Sequence, residues 1–186
     1  MQRDRRTIHS ELLVIRFRKG DRGAFSELAA LWEDKLFYFL RRFVDNEQDA
    51  WDLLQQTWVK VLGGLGKLEN TGTLTAWLYR VARNTALDHL RRNDRDLSAR
   101  ETDGDTDPIV ENDNDLRFEN AELVHRGLAE LSLAHREALT LFFLEEFSIE
   151  EIAVILGLAA GTIKSRMHYA KRALKKILER EGGADG

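Results

Sequence analysis

The chain has 186 residues, 43% of them hydrophobic, with a formal net charge of −4, one proline and no cysteine. That length and apolar content suit one large or two small packed cores. The absence of cysteine excludes a disulfide framework and any thiolate-based zinc or redox site, as befits a reducing cytosol. No apolar run approaches the roughly 20 residues of a membrane span, and the charged start Met1 to Ser10 is unlike a signal sequence, so a cytoplasmic protein without membrane insertion is expected.

One proline among many Leu, Ala, Glu and Arg predicts an all-α chain. Helical periodicity runs from Glu11 to Phe43 and breaks at Gly20-Asp21. Asp21 is the expected N-cap of a helix that buries Phe25, Leu28, Ala29, Leu31 and Trp32. A further helix is predicted over Glu47 to Leu62, with Ala50, Leu53, Leu54, Thr57, Val61 and Leu62 inward. Its polar side carries Asp49, Asp52, Gln55 and Gln56. The two carboxylates have no His or third carboxylate at ligand spacing on that helix, so the face reads as a protein-docking surface rather than a metal site.

Gly63, Gly64 and Gly66 read as a flexible break, with a spacing unlike that of a phosphate-binding loop. Leu74 to Arg92 then predicts a long helix with Trp77, Leu78, Val81, Ala82, Thr85 and Leu90 toward the core. Arg80, Arg83, Asn84, His89, Arg91 and Arg92 are left for solvent or a partner. Five Arg stand against two Asp from Trp77 to Arg95, and a guanidinium makes paired contacts with phosphate, so this helix is a candidate nucleic-acid face.

Between Asn93 and Phe118, nine acidic residues face three Arg, with Gly104, Pro108 and little apolar content. This predicts an acidic flexible linker over 93–117, joining small helical domains at 1–92 and 118–186. Within the second domain, Ser148 and Glu151 have the spacing of a capping box. Ile149, Ile152, Ala153 and Leu156 follow at helical period, and Gly157 supplies a residue able to end the helix. From Thr162 a second helix places Ile163, Met167, Ala170 and Leu174 on one stripe and Lys164, Ser165, His168, Lys171, Arg172 and Lys175 outside it. No acidic residue interrupts Thr162 to Leu178. A short turn followed by a basic amphipathic helix is the geometry of a helix-turn-helix that enters a DNA major groove. The five His are scattered and no nucleophile motif appears, so neither catalysis nor a cofactor is expected.

The stretch Leu74-Thr-Ala-Trp-Leu-Tyr-Arg-Val-Ala-Arg-Asn-Thr-Ala-Leu-Asp-His-Leu-Arg-Arg92 resembles the promoter-contacting helix of bacterial sigma factors of the extracytoplasmic-function (ECF) group. Asp49-Ala-Trp-Asp-Leu-Leu-Gln-Gln-Thr-Trp58 is similar to that family's helix for docking on core RNA polymerase. Glu151-Ile-Ala, Leu156-Gly and Gly161-Thr-Ile-Lys-Ser-Arg166 resemble its second DNA-binding domain. The three matches occur in the family's order and cover nearly all of the chain outside the linker.

The resemblance implies a sigma factor with core RNA polymerase (the clamp helices of its largest subunit and its flap) and promoter DNA as partners, and an anti-sigma factor as inhibitor. It implies Asp49, Asp52, Leu53, Gln55 and Gln56 at the polymerase. Arg80, Arg83, Asn84, Asp88, Arg91 and Arg92 would lie at or beside the −10 strand, with the loop from Lys67 to Thr75 helping to hold an unstacked base. Thr162, Lys164, Ser165, Arg166, His168 and Lys171 would read the −35 element. The linker would thread near the polymerase cleft, either as a mimic of nucleic acid or as a plain tether. This chain departs from the pattern at Trp51 and Gln56, where Glu is usual, at Ser132 for Pro, at Ala159 for a capping Ser, and at Tyr169 for Arg. The alternative reading, a stand-alone helix-turn-helix regulator, leaves the N-terminal domain unexplained.

Overall fold

The computed structural model describes residues 5–44, 46–97 and 127–182. They form helices and turns, with no strand among the described residues, and group into two compact units, one within Met1–Glu101 and one within Thr102–Gly186.

Unit 1 comprises α1 (Arg5–Arg18), α2 (Gly23–Leu40), α3 (Glu47–Leu65), a 3-10 turn (Thr71–Thr73) and α4 (Leu74–Leu97). Its core is layered with aliphatic side chains from all four helices, among them Leu13, Leu28, Leu36, Leu53, Leu65 and Leu78, each at most 1% exposed. An aromatic group fastens α2 to α4: the Tyr79 ring lies 5.1 Å from Phe39 and 6.3 Å from Trp32, both edge-on. The Trp32 indole N–H donates to the buried Ser10 hydroxyl of α1 at 2.9 Å, so the ring's polar edge is satisfied inside the core.

Several boundaries differ from the sequence expectation, each for an identifiable reason. α2 starts at Gly23 after Arg22, and the Asp21 carboxylate just before it takes up the Gly23 and Ala24 amides at the helix start, the place expected of it. The Asp21 carboxylate is also held by Arg16 at 2.7 Å, and Arg16 bridges Glu27 at 2.9 Å, tying α1 to α2. The Arg16 hydrogen bond keeps the Asp21 carboxyl below its ordinary pKa, with the nearby Ala24 and Gly23 amides acting in the same direction. α3 does not stop at Leu62 but continues through Gly63 and Gly64 to Leu65, whose side chain is fully buried. Here tertiary packing outweighs the poor helix propensity of glycine. α4 runs to Leu97 rather than ending at Arg92, because Asn93 to Leu97 contains neither Gly nor Pro to stop it. The remainder of the predicted linker, from 98 to 117, lies outside the described residues.

Unit 2 comprises the helical residues 127–130, α5 (Leu133–Leu139), a π-helical turn (Thr140–Leu144), α6 (Ile149–Leu156) and α7 (Ala160–Gly182). In the wide turn the Glu145 amide donates five residues back to the Thr140 carbonyl at 3.2 Å. Glu146 then takes a left-handed conformation, φ +57°, and Phe147 re-enters the core at 6% exposure. Gly127 sits directly against α7: a Cβ there would lie 2.8 Å from Leu174 Cδ1. Arg180 of α7 pairs with Glu130.

Arg136 acts as a cap for the preceding helical turn. Its guanidinium donates to the carbonyls of Leu128 at 2.9 Å, Ala129 at 2.6 Å and Leu131 at 3.1 Å. These are the orphan carbonyls of a helix C-terminus, where a cation is also favoured by the helix dipole. Arg136→Ala is expected to cost unit 2 about 2 kcal/mol, from the usual worth of hydrogen bonds to a charged group. A urea melt that shifts by less than a quarter of that would show the carbonyls are as well served by water.

Candidate polymerase-docking face and nucleic-acid interfaces

α3 begins at a firm cap. The Asn46 side chain accepts from the Asp49 amide at 2.8 Å and donates to the Asp49 carboxylate at 2.7 Å. Asp49 is thereby half-buried at the helix start and partly committed to local structure. Asp52, Gln55 and Gln56 project to solvent, Asp52 accepting from Gln48 at 3.3 Å. Leu53, expected at the polymerase, is fully buried in the core of unit 1, so its side chain is not on this surface. The structure adds two apolar residues in its place: Val59 is 73% exposed and Leu62, expected inside, is 48% exposed. At 100° per residue, Asp52, Gln55, Gln56, Val59 and Leu62 fall on one face of the helix. The available signal was Val59 itself, an aliphatic residue three and four positions beyond the two glutamines and off the buried stripe.

On α4, Arg80, Asn84, Arg91 and Arg92 are exposed and Arg83 is half-buried. Arg80, Asn84 and Arg91 follow one another along a single row. Asp88, among the residues expected at or beside the −10 strand, binds Lys60 of α3 at 3.2 Å and lies 3.6 Å from Arg91. The inward row is Leu78, Tyr79, Ala82, Thr85 and Ala86, all at most 1% exposed, whereas Trp77, Val81 and Leu90 are only half-buried.

Trp77 is half-buried because it forms one side of a cavity of about 460 Å³, lined also by Gly64, Lys67, Leu68, Glu69, Asn70 and Thr73. The loop is shaped from within: the Asn70 side chain accepts from the Gly72 amide at 2.9 Å, and the Thr73 hydroxyl donates to the Asn70 carbonyl at 2.8 Å. An indole beside a set of polar groups provides both a stacking surface and edge donors and acceptors, the chemistry that holds a nucleobase removed from its stack.

In unit 2 the expected capping box is present. Glu151 N–H donates to Ser148 Oγ at 3.3 Å and Ser148 N–H to the Glu151 carboxylate at 2.9 Å. Gly157 closes α6 at φ +69°. α7 starts at Ala160, two residues before the expected Thr162. Its inward stripe of Ile163, Met167, Ala170 and Leu174 is at most 4% exposed.

The six predicted −35 residues do not form one surface row. Thr162, Ser165 and Arg166 lie on one flank of α7, and Lys164, His168 and Lys171 at i, i+4 and i+7 on the other. Thr162 and Lys164 are exposed, and the Ser165 hydroxyl bonds back to the Gly161 carbonyl at 3.2 Å. His168 packs beside Tyr169 at 5.5 Å and buries Nε2 without a hydrogen-bond partner, so that nitrogen is not available to a base edge. Lys171 directs its ammonium over the Phe142 and Phe143 rings at 5.5 and 5.4 Å. Such contacts are worth about 1 kcal/mol, and they tie α7 to the π-helical turn.

Two helical units, one presenting an amide-and-aliphatic face, an arginine row and a cavity, the other a basic helix-turn-helix, have the make-up of a helical DNA-binding protein. Residues 28–96 match the family model for Sigma-70 region 2, and residues 121–174 that for Sigma-70 region 4. The chain is similar to the RNA polymerase sigma-H factor of Pseudomonas aeruginosa, 33% identical over 90% of this chain and 92% of that one. Among solved structures it resembles CnrH in complex with the cytosolic domain of CnrY, with a TM-score of 0.68, 25% identity and coverage of 92% and 98% of the two chains. It also resembles the sigma factor RpoE in complex with the anti-sigma factor NepR from Bartonella quintana, with a TM-score of 0.67, 27% identity and coverage of 83% and 96%. The ECF RNA polymerase sigma-E factor of Escherichia coli is 31% identical over 88% of this chain and 91% of that one. The chain belongs to the ECF group of RNA polymerase sigma factors, and so directs the polymerase to promoters at the start of transcription.

Proposed function

We propose a division of labour between the two units. Unit 1, with the segment before residue 92 at its centre, docks on the clamp helices of the polymerase through the outer face of α3. It meets the −10 element with Arg80, Arg83, Asn84, Arg91 and Arg92 and receives one unstacked base in the cavity under Trp77. Unit 2 meets the −35 element with the N-terminal half of α7. The observation that carries this reading is the combination, within unit 1, of an amide-and-aliphatic face on α3 with a row of cations on α4. A protein that only bound duplex DNA has use for the second but not for the first. The bond-making chemistry belongs to the polymerase, and this chain contributes recognition and melting.

The Bartonella quintana relative is in complex with an anti-sigma factor, which supports a partner of that kind for this chain. No helix among the described residues is long and apolar enough to cross a membrane.

Run-off transcription tests the reading: core polymerase with and without the protein, on fragments of its own genome, with the transcript starts sequenced. Starts that share paired upstream elements and need the protein are expected. Specific duplex binding with no gain in initiation would replace the reading with a stand-alone regulator.

A further inference from the structure

Glycine inside a helix costs about 0.5–1 kcal/mol relative to alanine, yet Gly64 lies within α3, one residue from its end. Its missing side chain is put to use. A Cβ at position 64 would fall 2.8 Å from Trp77 Cζ2 and 3.3 Å from Cη2, whereas at Gly63 and Gly66 it would meet nothing within 4 Å. Of the three neighbouring glycines, only Gly64 is required by contact. The ring it admits is the indole that lines the cavity of about 460 Å³.

We propose that Gly64 is a positioning residue for base capture: by letting the indole edge rest on the α3 backbone, it holds Trp77 as a fixed wall of the cavity that receives the base. This rests on the reading of the 67–75 loop as a base-holding site. Asn70 and Thr73, which line the same cavity, are held by the internal bonds of their loop, and the indole is held by its rest on α3. A methyl group at position 64 meets a rigid ring, not the end of a flexible chain, and the ring has to move off α3. A displaced wall no longer stacks on a base held by the loop, although the docking face and the arginine row are untouched.

The test uses holoenzyme assembled from the full chain and a promoter fork with 2-aminopurine placed in turn at each non-template −10 position. The wild type is expected to give a fluorescence change on unstacking at one position, and Gly66→Ala to match it. Gly64→Ala is expected to lower the open fraction about tenfold, the scale of one lost base–aromatic stack, with polymerase affinity unchanged. In a Trp77→Leu background, which removes the clash, Gly64→Ala is expected to add no further loss. No signal at any position in the wild type would sink the base-holding reading itself. A wild-type signal that Gly64→Ala leaves unchanged would overturn the role of Gly64 alone. An equal loss in both backgrounds, through misfolding or otherwise, would show that Gly64 does not act through Trp77 and overturn it as well.

Discussion

Val59→Arg combined with Leu62→Arg is expected to weaken binding to core RNA polymerase by at least about 100-fold while leaving the fold intact. Both side chains face solvent, at 73% and 48% exposure, and substitutions at such positions change stability by only about 0.5 kcal/mol. In the docked state they would sit at the centre of the α3 face. An unpaired charge enclosed in an interface costs about 3 kcal/mol or more, which is roughly 100-fold in affinity. Asp52 on the same face favours a cationic partner surface, so the new guanidinium groups also meet like charge. Fluorescence anisotropy of labelled protein titrated with core polymerase measures the effect, with Ile8→Arg on α1, 48% exposed, as the matched control. Equal affinities for the double variant and the wild type would remove α3 as the docking face.

The second large effect concerns α7. Lys164→Ala and Arg166→Ala are each expected to lower promoter-specific initiation about 10-fold or more, at about 1–3 kcal/mol per contact, without loss of polymerase association. Salt separates their roles: a phosphate contact that is removed reduces the salt dependence of binding by about one counterion, whereas a base contact changes sequence preference instead. Lys171→Ala is expected to behave differently from both. Its ammonium rests on Phe142 and Phe143, so the loss should appear mainly in the stability of unit 2. A Lys171→Ala variant with wild-type melting and a reduced salt slope would place that side chain on DNA after all. Joint loss of initiation and polymerase binding in Lys164→Ala would point to misfolding or to a docking role for α7.

The features most legible in the sequence were local ones. The Ser148–Glu151 box and the Gly157 turn involve residues within a few positions of one another, and their chemistry has few alternatives. The inward stripe of α7 was legible because its period is unbroken and its opposite side is cationic. What escaped was decided by distant neighbours. Three glycines in four positions look like a break until Trp77, thirteen residues on, is seen lying on one of them. Tyr79 lies on the same helical row as Leu78 and Ala82, but its place in the core depends on Trp32 and Phe39 from α2. Leu53 is inside, where its period put it, but Leu62 is not: a helix with apolar residues on more than one side does not state which side its neighbours cover. Among the candidate contacts, periodicity separated outward from inward on α7 but did not reveal that Phe142 and Phe143 would hold Lys171.

Ala159 contributes no side-chain oxygen to the start of α7, and only its backbone carbonyl receives the Ile163 amide, at 3.1 Å. The helix nevertheless extends from Ala160 to Gly182, secured by the burial of Ile163, Met167, Ala170 and Leu174 and by the lysine resting on two rings. Its conformational entropy is therefore surrendered when unit 2 folds, not when DNA arrives. On the proposed role of α7, recognition is the docking of a preorganised surface, in which the rate of encounter is governed by the long-range pull of the cations on the duplex and the lifetime by the fit of a few side chains.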